Sequence, residues 1–583
     1  MTIDPVRGSR PATHAFRRRP LALCLAALLA ASAAPVLAST ITVTNCADSG
    51  TGSLRDAVAA AISGDTIDFD ANLACSTITL TSGAITIATG ADGLLLTELE
   101  IDGPGRNALA IDGNYADRVF AHEAGADGKL QIGNLAMHHG FTGGDGGCIF
   151  SEGTVDIFYS ELSECSAGVA TLASTPRGAA TRGGALAAGA DVLLSDSFVG
   201  DSKVDGGSGY AYGGGVFAVH NLLILSSTVS GNLATSDTGP SYGGGVSVGR
   251  RDTQSQGMLN IGPSDIQNNT AFSHCGYCPV RGGGAFVYGN VAIAQSSISG
   301  NSAFSDAHYG AGGGLYFKSS AGGAPVGASV SYTDLGSNSS DEDGGAIGAA
   351  GDLMIIWATI SGNSARAGGA IVQLSGGLWL DDSLITGNIA QSNGGAIFLH
   401  GYGDVNVRNS TISENLAQGN GGAIANTYGS VYLTNATVTG NTANGLGGGI
   451  WFEYSYYTLA IESTIVAGNT VGSSPDDIFA PGGTVEGSHD LIVAAPGLNV
   501  PADTISDDPL LLPLADNGGP TMTHALAEGS PAIDAGSNPQ GFPFDQRSMA
   551  AFARVSGSAA DIGAFEVQVS GPLDPIFANG FDP

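Results

Sequence analysis

A right-handed parallel β-helix, an all-β solenoid of short stacked strands, is the fold class this sequence predicts. Three observations predict it: an internal repeat running through most of the chain, a composition suited to many tight turns, and terminal segments that read as caps.

The repeat has two halves. One is a glycine pair or triplet followed by an apolar strand, as in Gly215-Val216-Phe217, Gly345-Ala346-Ile347, Gly395-Ala396-Ile397 and Gly422-Ala423-Ile424. The other reads Ser-Thr-Ile-Ser-Gly-Asn or a variant, and ends at Asn232, Asn269, Asn301, Asn338, Asn363, Asn388, Asn415, Asn441 and Asn469. A unit this short cannot bury a hydrophobic face alone, so copies must stack. Alternation such as Val405-Asn406-Val407 and Val431-Tyr432-Leu433 sends apolar side chains inward. The expected coil has three short strands, each pairing in parallel with its copy above and below. Glycine pairs serve corners that need positive φ or close backbone approach. The recurrent asparagine can stack its amide on the next coil and bond turn backbone. A leucine-rich solenoid is disfavoured because Leu-x-Leu does not recur with the repeat as its signature requires, and a propeller by the unevenness of the repeat.

Composition agrees. Glycine supplies 91 of 583 residues, and charged residues are 13%, about half the usual share. The hydrophobic fraction of 43% is ample for a long core. Acidic residues outnumber basic ones 53 to 20, for a formal net charge of −33. That excess argues against nucleic acid as a partner, because phosphate contacts require basic surface. It suits an acidic exported protein, and it leaves calcium compatible although no cofactor is expected.

Residues 1–38 read as a secretory leader. Arg17, Arg18 and Arg19 precede the apolar run Leu21–Leu29, and Val36-Leu37-Ala38 offers small residues for cleavage after Ala38. No second segment is suited to cross a membrane as a helix, and the C-terminal region lacks the alternating strands of an outer-membrane barrel. Residues 39–75 are expected to form an N-terminal cap, 76–500 the solenoid, 501–568 a C-terminal cap or anchor module, and 569–583 a flexible tail. Ser53 to Ser63 reads as a short amphipathic helix with Ser53 as N-cap. Beyond the leader stand Cys46, Cys75, Cys148, Cys165, Cys275 and Cys278. Export implies disulfides, and proximity favours Cys46–Cys75, Cys148–Cys165 and Cys275–Cys278 among the fifteen arrangements. Cys275-Gly276-Tyr277-Cys278 copies a redox motif but falls in a loop between strands, which fits a structural bond.

These motifs resemble the Gly-Gly-Ala-Ile and Phe-x-x-Asn repeats of polymorphic outer-membrane proteins, with Ile or Val largely replacing the Phe. They also resemble the wider pectin-lyase-like β-helix group. The resemblance covers residues 140–470 and implies architecture rather than function. Ser53, Leu54, Arg55 and Ala57 are similar to the Cys-Ser-Leu-Arg-Glu-Ala segment that caps secreted β-helix proteins, with Gly52 at the Cys and Asp56 at the Glu. Asp516-Asn517-Gly518-Gly519-Pro520, Ser530-Pro531-Ala532-Ile533-Asp534-Ala535-Gly536, Asp545-Gln546-Arg547 and Asp561-Ile562-Gly563 resemble the choice-of-anchor Q module of bacterial surface proteins. Ser548 stands where that pattern has glycine. The resemblance implies surface association. Asp534, Asp545, Arg547, Asp561 and Glu566 are expected to form buried charge pairs that fix the cap, with a metal site as the alternative.

One turn varies in a directed way. From the repeat asparagine to the next glycines it is long after Asn232, Asn269 and Asn301, and short after Asn338, Asn363, Asn388, Asn415 and Asn441. The long copies should form a wall over the earlier half, and one-sided insertions often mark a binding face. The wall carries Tyr242, His274, Tyr277, Asp306, His308 and Tyr309, with Tyr210 and Tyr212 in the long turn before it. Aromatics beside carboxylates suit sugar binding; mutual packing of the loops is the alternative. Trp451, Tyr454, Tyr456 and Tyr457 offer a second carbohydrate platform, with an edge-covering cluster near the C-terminal coils as the alternative. Asp341-Glu342-Asp343, Asp381-Asp382 and Asp476-Asp477 are carboxylate clusters, and Lys318, Arg366 and Arg408 are candidate bases for a lyase. Nothing in their spacing assembles a catalytic set. The function expected is adhesion or glycan binding without catalysis, extracellular or on the outer surface of a bacterium. A polysaccharide, or a host or neighbouring cell surface, is the expected partner. A polysaccharide lyase or glycoside hydrolase acting on an acidic glycan is the alternative.

Overall fold

The computed structural model describes residues 38–568 except 169–178, 252, 320–326, 455, 482–483 and 549. The expected leader, apart from Ala38, and the expected tail lie outside the described residues. The chain is a right-handed parallel β-helix. Among the described residues every pairing between its strands is parallel, save that of Thr470–Val471 with Ser474–Pro475 at the last coil.

A coil of the later half visits four faces rather than the expected three. One coil runs through Leu378–Asp381, Leu384–Thr386, Ile389–Ala390 and Ile397–Leu399. The extra strand is the two-residue segment after the asparagine corner, too short to show as a period in the sequence. The second and third faces are sheets of 15 and 13 strands. The first and fourth are joined into one 29-stranded sheet through Ala285–Ala294, a strand that runs from the fourth face into the first.

Register explains the core. Ile347, Ile371, Ile397, Ile424 and Ile450 are direct neighbours in successive coils, and all are fully buried. Each buried aliphatic side chain of this kind contributes about 1.5–3 kcal/mol. The glycine pair divides its labour. Gly394 takes φ 70°, whereas Gly395 has no room for a side chain, since a Cβ there would lie 2.1 Å from the Gly422 carbonyl oxygen.

The repeat asparagines form a continuous buried ladder. The backbone N–H and Nδ2 of Asn388 both donate to Asn415 Oδ1, at 3.0 and 2.9 Å, and Nδ2 also donates to the Ile360 carbonyl. The same pattern links each copy from Asn232 to Asn469 and ends on Asp477, whose Oδ1 accepts from Asn469. A serine and threonine ladder lines another corner. Ser197 N–H donates to Ser227, Ser383 N–H to Ser410, and Thr464 N–H to Asp490. The residue before each such serine or threonine takes a left-handed conformation, as do Asp196, Ser226, Asp382, Asn409 and Ser463.

Both ends are closed. The helix α1 (Leu54–Ala60) buries Leu54, Ala57 and Val58 over the first coil, with Ser53 Oγ accepting from Asp56 N–H. Arg55 is more than a surface residue, because it donates to the carbonyls of Asp48, Gly83 and Ala84 and pairs with Asp48 at 2.8 Å. Burial alone would raise the Asp48 carboxyl, but hydrogen bonds from Ser82, Arg55 and Thr81 hold it well below the usual range. At the other end Asn499 and Ile505 bridge to the last coil. The chain then turns back along the flank. Asn409 donates to the Phe544 carbonyl, Asn435 to the Ser537 carbonyl and Thr411 to Gln546. Arg547 pairs with buried Asp545 at 2.6 Å, between the rings of Phe552 and Phe565. Glu566 lies 3.5 Å from Arg554 and accepts from the Asp561 amide, whose own carboxylate accepts from Asp534 and Val567. Ser548 adopts φ 52°, the conformation that the glycine of the resembling pattern would supply without strain. Disulfides join Cys46–Cys75, Cys148–Cys165 and Cys275–Cys278.

Candidate functional site

The long turns become a separate five-stranded parallel sheet: Ala180–Arg182, Tyr210–Tyr212, Ser241–Tyr242, Val280–Arg281 and Gly310–Ala311. It lies against the outward side chains of the fourth face. Arg182, Tyr212, Tyr242 and Arg281 occupy one register column. The ring of Tyr242 lies 5.2 Å from that of Tyr212 and 4.6 Å from that of Phe286, and Tyr212 leans on Phe217. Tyr212 and Tyr242 are fully buried, which corrects their expected place in a sugar platform. The turns pair edge to edge, so these rings become core. Arg251 donates to the Tyr242 hydroxyl at 2.6 Å, and burial pushes that hydroxyl up to about 12. Tyr210 is half-buried and stacks on both neighbours.

The rim of the wall stays open. Tyr277 is 83% exposed and Tyr309 37%, with ring centroids 5.9 Å apart. His274 pairs with Asp306 at 3.2 Å, and exposed His308 lies 3.8 Å from Asp341. The Cys275–Cys278 bond ties the loop that carries His274 and Tyr277. Of the eight expected ligand residues, the structure therefore groups five on an accessible rim and packs Tyr210, Tyr212 and Tyr242 beneath it.

The carboxylate clusters have local tasks. Asp341 accepts from the amides of Ser305 and Gly310, closing the edge of the wall. Glu342 and Asp343 share Arg366, at 3.2 and 3.3 Å. Burial pushes the carboxyls of Asp341, Glu342 and Asp343 up; the charge of Asp343 adds to the effect at Glu342, while Arg366, His400 and Arg281 oppose it at Asp343. Asp381 holds Arg408 in a bidentate pair, and its hydrogen bond keeps that guanidinium more firmly protonated. Asp382 faces the C-terminal module, and burial lifts it to about 7. Asp477 terminates the asparagine ladder, and burial lifts it to about 6. Lys318 is exposed at the end of Leu315–Lys318.

Beyond the wall a tyrosine stripe follows the turns that lead from the fourth face into the first. Ring centroids are 5.2 Å apart for Tyr402 and Tyr428, 5.7 Å for Tyr428 and Tyr454, and 5.3 Å for Tyr454 and Tyr456. Tyr456 then leans on Tyr457 at 4.6 Å. Tyr402 is 76% exposed and Tyr456 69%. Glycine sets the stacking. Gly403 and Gly429 follow Tyr402 and Tyr428, and each packs so tightly on the turn before that a Cβ would meet the carbonyl oxygen of Gly376 or Gly403 within 1.9 Å. The repeated Tyr-Gly pair was the sequence signal for Tyr402 and Tyr428, which the search for long turns passed over. Trp451 is separate from the stripe and lies beside Phe398 and Ala425 on the outer side of the fourth face.

No family model matches the sequence, and no curated protein matches it. Among solved structures, the crystal structure of pectate lyase Pel9A aligns over 91% of this chain and 97% of that one, at 13% identity and a TM-score of 0.24. So slight a likeness carries no chemistry. The class of the protein, a parallel β-helix with a one-sided wall, rests on its own strand pairing.

Proposed function

We propose that this chain is an exported, non-catalytic glycan-binding solenoid that works at or outside the bacterial surface. The observation that carries the reading is the row of stacked tyrosines beyond the wall, in which the rings of Tyr402 and Tyr456 stand in solvent and half-buried Tyr428 and Tyr454 lie between them. Sugar rings present flat C–H faces that suit such a row, and the open Tyr277–Tyr309 rim offers a second contact with carboxylate and imidazole beside it. The leader-like residues 1–38 and the three disulfides support export. The likeness of the C-terminal module to choice-of-anchor Q segments, and of the repeats to polymorphic outer-membrane proteins, supports a surface setting.

A second reading, lyase or hydrolase action on an acidic glycan, draws on the raised carboxyls of Glu342 and Asp343 at the end of the wall. Against it, Arg366 and Arg408 are committed to ion pairs and so are poor proton acceptors. One experiment separates the two. The purified chain is incubated with uronate-containing and neutral polysaccharides, with calcium present, while retention, new reducing ends and unsaturated products are followed together. Retention without products, weakened by Tyr402→Ala and Tyr456→Ala, is the expected result. Turnover abolished by Glu342→Gln would establish the enzyme instead.

A further inference from the structure

We propose that Asp112, His138 and His139 form a binding site for a zinc-class transition-metal ion in the N-terminal part of the solenoid, with Glu164 as an outer partner of the His139 ring. Asp112 ends the strand Ala110–Asp112, and His138 ends Ala136–His138 directly beside it in register. His139 then takes φ 54° and Glu164, one coil further on, φ 53°. Stacked coils repeat at about 4.8 Å, so the fold brings together residues far apart in sequence. Ligand atoms of Asp112, His138 and His139 all lie within 4.8 Å of one another.

His139 Nδ1 lies 3.2 Å from Asp112 Oδ1, while its other nitrogen, Nε2, lies 3.4 Å from Glu164 Oε2. One imidazole gives an ion one nitrogen, so Nδ1 serves the site and Glu164 is the outer partner that accepts from Nε2–H and holds the ring. His138 Nε2 lies 4.0 Å from Asp112 Oδ2. The surroundings orient these donors: Tyr115 stacks on His139 at 4.4 Å and its hydroxyl donates to Glu164 at 3.3 Å, while Asn114 N–H donates to Asp112 at 2.7 Å. The Cys148–Cys165 bond fixes the backbone next to Glu164. Two imidazoles and one carboxylate offer two nitrogen ligands and one oxygen ligand, and a water can fill the fourth tetrahedral position. Imidazole selects zinc and its neighbours, whereas calcium takes oxygen alone. The side chains of His138 and His139 remain about a quarter exposed, so an ion can reach them.

The test uses the full purified chain, stripped with chelator and dialysed against Zn2+, with bound metal counted and affinity measured by calorimetry. Binding of Co2+ is followed in parallel by its visible absorption. One equivalent of Zn2+ and a tetrahedral Co2+ spectrum are expected. The double change His138→Ala and His139→Ala should weaken Zn2+ by at least about 100-fold, more than loss of outer partners alone costs. His220→Ala, an exposed histidine elsewhere, should leave affinity unchanged. Should the double variant fail to fold, Asp112→Asn carries the same expectation in direction. Zinc binding that is absent, that survives both variants, or that excess Ca2+ displaces would overturn the proposal.

Discussion

The walled half of the solenoid, over residues 180–311, and the bare half, over residues 328–462, share one frame. Both run on the same asparagine ladder and the same stacked aliphatic core. They differ in the length of one turn. Where it is long, the turns pair into their own sheet and seal the outer side of the fourth face, so that Tyr212 and Tyr242 become core. Where it is short, no such sheet forms among the described residues, and Tyr402 and Tyr456 stand in solvent one corner further on. The same residue type is thus structural in one half and available for binding in the other. The corner that carries the ring, and whether the turn there pairs into a sheet, decides which.

The largest effect should come from breaking this asymmetry. Tyr242→Ala removes a fully buried ring and is expected to cost about 3–5 kcal/mol in denaturant unfolding, whereas Tyr402→Ala should stay within about 0.5 kcal/mol. Equal losses at the two positions would erase the distinction between the halves. The shared frame should respond alike in both. Asn269→Leu in the walled half and Asn388→Leu in the bare half each leave buried ladder donors without acceptors, and each should cost about 2–4 kcal/mol. A loss confined to one half would show that the ladder does not run continuously.

A smaller effect concerns pH at the C-terminal flank. Burial pushes Asp490 up to about 9, and Asp382 and Glu566 to about 7. The folded state holds these protons where the unfolded chain, with carboxyls near 4, has released them. Stability is therefore lost as pH rises from about 4 toward 9, and the loss is complete above the folded values. Thermal unfolding of the flank should come at lower temperature at pH 9 than at pH 5. Asp490→Asn should reduce that difference by about 2 °C or more. A flank that is more stable at pH 9 would reverse the sign and contradict the burial account.

Much of this was legible in the sequence because a solenoid writes its architecture as a period. The Gly-Gly-Ala-Ile and Ser-Gly-Asn halves announce corners and strands, and the turn after each asparagine announces the wall. Cysteines close in sequence pair as expected. Burial within the wall was not legible, because Tyr212 and Tyr242 meet through strand pairing among turns that have no period of their own. The fourth strand of the coil was too short to register. Asp112, His138 and Glu164 escaped notice because one coil separates each from the next, a distance at which no short motif exists. Tyr402 and Tyr428 could have been found by aligning Tyr-Gly pairs to the repeat.

Binding by the tyrosines beyond the wall is tested most directly by measuring affinity for a retained glycan in the parent chain and in Tyr402→Ala, Tyr428→Ala and Tyr456→Ala, with unfolding recorded alongside. Graded weakening, up to about 10-fold per ring, with stability within about 0.5 kcal/mol and no product formed, is the predicted result. Unchanged affinity in all three, or glycan cleavage by the parent chain, would contradict it.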